Sequence, residues 1–266
     1  MKNILSDKGT RLFIVLGGFF IANALVAEFI GVKIFSLENT LGWEEVNWTI
    51  FGVENLSFGL TAGVLLWPVV FIMTDILNEY FGMRGVRLLS YLAIGLITYA
   101  FVMIFLAMGL EPAGFWPTSH MEAKGLDNLK LAEDVKNYDS AFKLVFGQGL
   151  WIITGSLVAF LIGQLVDVFI FHKIKEKTGE GKVWLRATGS TIISQLIDSY
   201  IVLIIAFYLG ADWDLIRVLA IGTVNFFYKF SMAILLTPAI YLAHYLIDNY
   251  LGKEKAKEMK RIAQLN

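Results

Sequence analysis

Six apolar stretches dominate this chain, each near or above the ~20 residues that about 30 Å of hydrocarbon requires. They fall at Leu12–Ile30, Leu56–Ile76, Leu88–Leu110, Leu144–Ile170, Ala187–Leu209 and Leu215–Ile247. In lipid every backbone N–H and C=O must be satisfied within the protein, so segments of this length and apolarity can only be helices. The sequence predicts an all-α integral membrane protein: a single polytopic domain over residues 1–266 with six transmembrane helices. The last stretch is long enough to tilt or to run on beyond the bilayer. Composition agrees, since 17% of the 266 residues are charged against about a quarter in a soluble domain. Without cysteine there is no disulfide framework, thiolate chemistry or cysteine metal site. A net charge of −1 gives nucleic acid no electrostatic footprint.

The basic residues sort by side. Fifteen of the 22 Lys and Arg fall on one side, among them Lys8, Arg84, Lys175, Arg186 and Lys255, and six on the other, with Lys229 inside a span. By the positive-inside rule both termini are expected in the cytoplasm, with residues 251–266 as a basic tail. The connections Gly31–Asn55 and Glu111–Lys143, rich in Glu, Asp and Trp, are then outside. The first stretch contains Ala22-Asn23-Ala24, which resembles a signal-peptidase site. Its apolar run continues to Ile30, as a retained span does, and we read it as one.

Polar residues inside the spans carry the functional signal. A charged side chain at the bilayer centre costs several kcal/mol unless it faces a partner or a wet cavity. Two spans carry a glutamine and an acid one turn apart, Gln164-x-x-Asp167 and Gln195-x-x-Asp198. In the fifth span Thr191, Ser194, Gln195 and Asp198 form one polar stripe at helical spacing. Asp198 lies 11 residues from Ala187, roughly 16 Å into the bilayer at 1.5 Å per residue. Asp167 falls nearer the cytoplasmic end, so the two acids form steps at different depths. In the sixth span Asn225 and Lys229 share a face, and Lys229 is expected to pair with Asp198 near the midplane. The second span ends in Asp75, Asn78 and Glu79 on one face, and Pro68 is expected to kink it and free a carbonyl toward a cavity. Glu28 and Asn23 add polarity to the first span.

Interhelical hydrogen bonding, at about 0.6 kcal/mol per bond, is the structural explanation for such residues. Glu79 also fits a solvated helix end. Six polar groups on three consecutive helices exceed what packing needs, and the candidate substrate-binding set is Asp75, Asn78, Glu79, Gln164, Asp167, Gln195, Asp198, Asn225 and Lys229. Carboxylates, amides, one ammonium and aromatic neighbours suit a small, planar, polar solute. A carboxylate accepts two parallel N–H bonds and aromatic faces stack on flat rings. Spacing alone does not choose a nucleobase over a vitamin or an amino acid. No cofactor or metal ion is expected, and no Walker-type phosphate loop is present.

The run Trp67-Pro68-Val69-Val70-Phe71-Ile72-Met73-Thr74-Asp75-Ile76-Leu77-Asn78-Glu79-Tyr80-Phe81-Gly82 resembles the signature of the queuosine precursor transporter family (VUT-type). So do Gly163-Gln164-Leu165-Val166-Asp167, Trp184-Leu185-Arg186 and Ser194-Gln195-Leu196-Ile197-Asp198-Ser199, in order between Leu56 and Ile247. The resemblance implies a six-helix importer of the bacterial inner membrane, and not an enzyme, with a 7-deazaguanine base such as preQ0 or preQ1, or queuine, as its small-molecule partner. It maps substrate contacts onto the candidate set apart from Asn225. Lipid is the other expected partner, and homo-oligomerisation is left open.

Three rivals compete. The first is the substrate-binding subunit of an energy-coupling-factor importer of vitamins or nucleobases, which needs partner ATPases. The second is an intramembrane serine protease using Ser156 and His244, which depth disfavours by roughly 25 Å along the normal. The third is a membrane-anchored interaction protein acting through its acidic outer loop.

Overall fold

The computed structural model describes residues 7–122, 137–147, 150–178 and 183–265. Helix α1 (Lys8–Ile30) starts where Asp7 caps it, accepting from the Thr10 backbone N–H at 2.8 Å. A layer of short elements follows: β1 (Ile34–Ser36), α2 (Leu37–Leu41), β2 (Trp48–Ile50), β3 (Val53–Leu56) and β4 (Gly59–Thr61). After a 3₁₀ turn comes the long α3 (Trp67–Met108), then α4 (Tyr138–Phe146), α5 (Leu150–Thr178) and α6 (Val183–Leu203), which runs on as a π-helix through Ile204–Leu209. The chain ends in α7 (Leu215–Leu235), α8 (Thr237–Leu251) and α9 (Lys253–Leu265).

Among the described residues five helical segments are long and apolar enough to cross a membrane: Lys8–Ile30, Trp67–Met108, Tyr138–Thr178, Leu185–Leu209 and Leu215–Leu235. Much of their apolar surface points outward, as Val15, Leu92, Phe105 and Leu235 do, where a soluble protein would bury it. The class is that of a helical membrane protein, with corrections in detail. The chain is not purely helical, since β1 pairs antiparallel with β4 and β2 with β3. The β2–β3 hairpin turns on Phe51 and Gly52, both left-handed, as a two-residue hairpin turn of this hand requires. Buried Glu38 pins the layer by accepting from the Phe58 N–H at 2.8 Å.

The expected second span begins too early. Leu56 ends β3, and residues 59–61 pair with β1, so the helix starts only at Trp67. Pro68 lies in the first turn of α3, where its missing N–H costs nothing; it starts the helix and does not kink it. The break falls at Gly82, with φ 71° and ψ −176°, a conformation essentially confined to glycine. The expected second and third spans are the two arms of α3 on either side of this bend. The expected sixth span is likewise divided, because Pro238 opens α8 after a turn at Leu236. The expected fourth span falls across two helices: Leu144–Phe146 ends α4, while α5 continues to Thr178. Residues 123–136 of the acidic connection lie outside the described residues.

Helices α5 and α6 form the most extensive pair, α1 packs along α3, and α7 lies against α6. Gly222 of α7 lets the Tyr200 ring approach, since a Cβ there would stand 2.8 Å from it; small residues at such crossings bring helices together. The core runs through Phe20, Val70, Leu77, Val86 and Ile97. The tail, expected as a basic segment, is the helix α9, with Ala256 and Ala263 buried and Ala263 against the Gly82 bend. Tyr80 locks this end: its hydroxyl donates to Asp248 at 2.7 Å and lies 3.1 Å from His244 Nδ1, and Lys260 pairs with Asp248 at 2.9 Å. Lys8 donates to the Tyr250 carbonyl and Lys255 pairs with Asp7, so the start of α1 lies against α8 and α9. The Lys255 and Thr10 donors hold the Asp7 carboxyl well below the usual carboxylate range.

Candidate functional site

Two clefts meet between α1, α3, α6 and α7. The wider, about 1090 Å³ with its mouth, lies toward the strand layer and is lined by Glu28, Ser156, Asp198, Ser199, Asn225 and Lys229. The narrower, about 470 Å³ with its mouth, is walled by Trp67, Phe71, Tyr228 and aliphatic side chains, with Asp75, Thr188, Thr191, Gln195 and Lys229 among its polar groups. Trp67 and Lys229 belong to both walls. Lys229 of α7 is ion-paired with Asp198 of α6, the two side chains 15% and 19% exposed. This is the pairing that depth and helix order predict.

Position on α6 explains the next groups. Thr191, Ser194 and Gln195 share the face turned toward α3 and α5. The Thr191 hydroxyl lies 3.5 Å from Asp75 Oδ2 and 3.4 Å from Asp167 Oδ1, and Ser194 donates to Asp167 at 3.2 Å. Gln164 Oε1 accepts from Thr74 at 2.9 Å. Many polar atoms remain open. Asp75 Oδ1, both amide atoms of Asn78, Gln164 Nε2, Asp167 Oδ2 and Gln195 Oε1 are buried without a hydrogen-bond partner among the described residues. Each such group costs about 1–3 kcal/mol if left unmade. A concentration of them beside a cleft marks a place for water or a polar solute.

Glu79 belongs to another arrangement. Arg186 donates from Nε and Nη2 to its two oxygens at 3.1 and 2.8 Å, and Lys175 Nζ lies 3.1 Å away, all three side chains buried. Both oxygens of Glu79 are therefore engaged within the protein, and it is not a solvated helix end. From the sequence, Arg186 and Lys175 count only among the basic residues of one side. The one signal in the sequence is that Arg186 stands in the Trp184-Leu185-Arg186 motif. Asn225 lines the wider cleft and not the narrower one, and donates to the Ile221 carbonyl at 3.2 Å. Ser156 donates to Glu28, whereas His244 contacts Tyr80, so these two do not form a hydrolytic dyad.

Polar clefts inside an apolar helical bundle define a class, that of a membrane protein which admits a polar solute between its helices. Residues 61–243 match the family model described as "Putative vitamin uptake transporter", and the chain belongs to this family of transporters, which are not enzymes. It is 30% identical over 199 residues to the "Probable queuosine precursor transporter" of Bacillus subtilis (strain 168), covering 72% of this chain and 76% of that protein. It is 25% identical over 244 residues to the Haemophilus influenzae protein of the same name, covering 90% and 88%. To the "Queuosine precursor transporter" of Escherichia coli (strain K12) it is 25% identical over 163 residues, covering 60% and 61%. No solved structure matches the chain.

Proposed function

We propose that this chain imports 7-deazaguanine precursors of queuosine, such as preQ0 and preQ1, across a bacterial inner membrane as a secondary-type transporter or facilitator. The observation that carries the reading is Lys229, a charged side chain common to two clefts and neutralised by Asp198 on the neighbouring helix. The names of the relatives supply the cargo class. A cytoplasmic location of both termini is supported by the excess of Lys and Arg on that side of the sequence and by Lys255 of α9 pairing with Asp7 at the start of α1.

The base enters the wide cleft from outside and meets Asn225 and the Lys229–Asp198 pair. Polar contacts from the solute compete for both charges, and the flat ring passes Trp67 into the narrow cleft. There Asp75 accepts two N–H bonds from the guanine-like edge, while Gln195 offers its amide and Phe71 and Tyr228 their faces. Asn78, Gln164 and Asp167 extend the polar path toward the cytoplasm. The Glu79–Arg186–Lys175 cluster and the Tyr80 network seal that end and open for release. Later incorporation of the base into nucleotide sustains net uptake without ATP hydrolysis by this chain.

The test is uptake of labelled preQ0, preQ1 and queuine into cells blocked in de novo synthesis. Wild type restores queuosine, and Asp198→Asn and Lys229→Ala each reduce uptake at least about tenfold. Failure of wild type to restore it overturns the transport reading. Full activity of both variants overturns the assignment of the pair. Uptake into proteoliposomes that hold this chain alone separates it from a subunit that needs partner ATPases.

A further inference from the structure

Glu28 is a buried carboxylate that this path leaves idle. It stands in the last turn of α1, 9% exposed, and accepts from Ser156 Oγ of α5. Both line the wide cleft with Asp198 and Lys229. These are the three ionisable side chains on its wall, and Asp198 and Lys229 neutralise each other. Among the described residues no cation pairs with Glu28. Ser199, on the same wall, is fully buried and its hydroxyl has no hydrogen-bond partner among the described residues. A half-satisfied carboxylate facing a cleft inside a bundle is costly unless a ligand brings the missing cation and donors.

We propose that the wide cleft holds an ammonium subsite, in which Glu28 supplies the anion, Ser156 orients it and Ser199 adds an acceptor, for a primary amine borne on the transported ring. The inference rests on the reading of a deazaguanine cargo and deepens it. An aminomethyl-bearing base is captured there in the outer cleft, and a base carrying a neutral nitrile at the same position is not held by Glu28. The amine stays clear of Lys229, whose charge Asp198 already absorbs.

The experiment is equilibrium binding of labelled aminomethyl- and nitrile-bearing 7-deazaguanines to the full chain in nanodiscs. Glu28→Gln is expected to weaken the amine about thirtyfold and to leave the nitrile within about twofold, so nitrile binding also reports that the variant is folded. Glu28→Asp keeps the charge and recovers most of the amine affinity. Equal loss for both bases, or no loss for either, overturns the subsite while the cargo reading stands. Wild type that binds neither base overturns both. Should Glu28→Gln not fold, Ser156→Ala decides. It removes the hydroxyl that orients the Glu28 carboxylate, so it is expected to weaken the amine severalfold and to leave the nitrile within about twofold; an equal effect on both bases, or none on either, overturns the subsite.

Discussion

Arg186 on α6 binds both carboxylate oxygens of Glu79 on α3, at 3.1 and 2.8 Å, with neither side chain reaching solvent. A planar fork against a carboxylate is the geometry arginine makes and lysine cannot. With Lys175 at 3.1 Å, it joins α3, α5 and α6. Removing Glu79 strands two buried cations, which costs about 3–5 kcal/mol, and removing Arg186 leaves Glu79 with Lys175 alone and without its bidentate bonds. Glu79→Gln and Arg186→Ala should therefore lower the melting temperature in detergent markedly, with Arg186→Lys recovering only part. A melt of Arg186→Ala indistinguishable from wild type would show that the cluster does not hold these helices.

Asp75 and Gln195 face the narrow cleft with oxygens that have no partner among the described residues. If Asp75 accepts the two donors of a guanine-like edge, an analogue lacking the exocyclic amine binds about 10- to 100-fold more weakly, the worth of one hydrogen bond to a charged group. Asp75→Asn, which replaces one acceptor with a donor, should erase that preference while binding of the analogue changes little. Competition against labelled base measures this, and an undiminished preference in Asp75→Asn would remove Asp75 from the contact set.

Gly82 couples the bend in α3 to the last helix. Its φ is 71°, and a Cβ there would stand 2.6 Å from the Ala263 carbonyl oxygen. Gly82→Ala should cost at least about 1–3 kcal/mol and free α9, which a protease cutting after Lys257 or Lys260 reports as faster cleavage. Unchanged stability and cleavage would mean that bend and tail are independent.

Which of these features the sequence reveals follows from the range of the interaction. The Asp198–Lys229 pair is legible because two lone charges at similar depth on consecutive helices have few other partners. The polar face of α6 is legible because Thr191, Ser194, Gln195 and Asp198 repeat at helical spacing. Glu79 is misread because its partners, Arg186 and Lys175, lie 107 and 96 positions away, beyond what periodicity detects. Leu56–Thr61 is misread because a short apolar run does not distinguish a buried strand from a helix start. The pairing of β4 with β1 decides it. Pro68 is misread because its effect depends on whether it falls within or at the start of the helix. The docking of α9 depends on a glycine conformation visible only in three dimensions.

The central claim, that the polar face of α6 borders a wet, solute-binding cleft, is tested most directly by thiol accessibility. The chain has no cysteine, so single substitutions are read without background. Gln195 lines the narrow cleft, whereas its neighbour Leu196 is an exposed apolar side chain, 39% accessible on the bundle's outer surface. In membranes, Gln195→Cys should react with a small charged methanethiosulfonate, and preQ1 should protect it, while Leu196→Cys stays inert in lipid. Equal inertness of the two, or labelling of Gln195→Cys that the base leaves unchanged, would contradict the account.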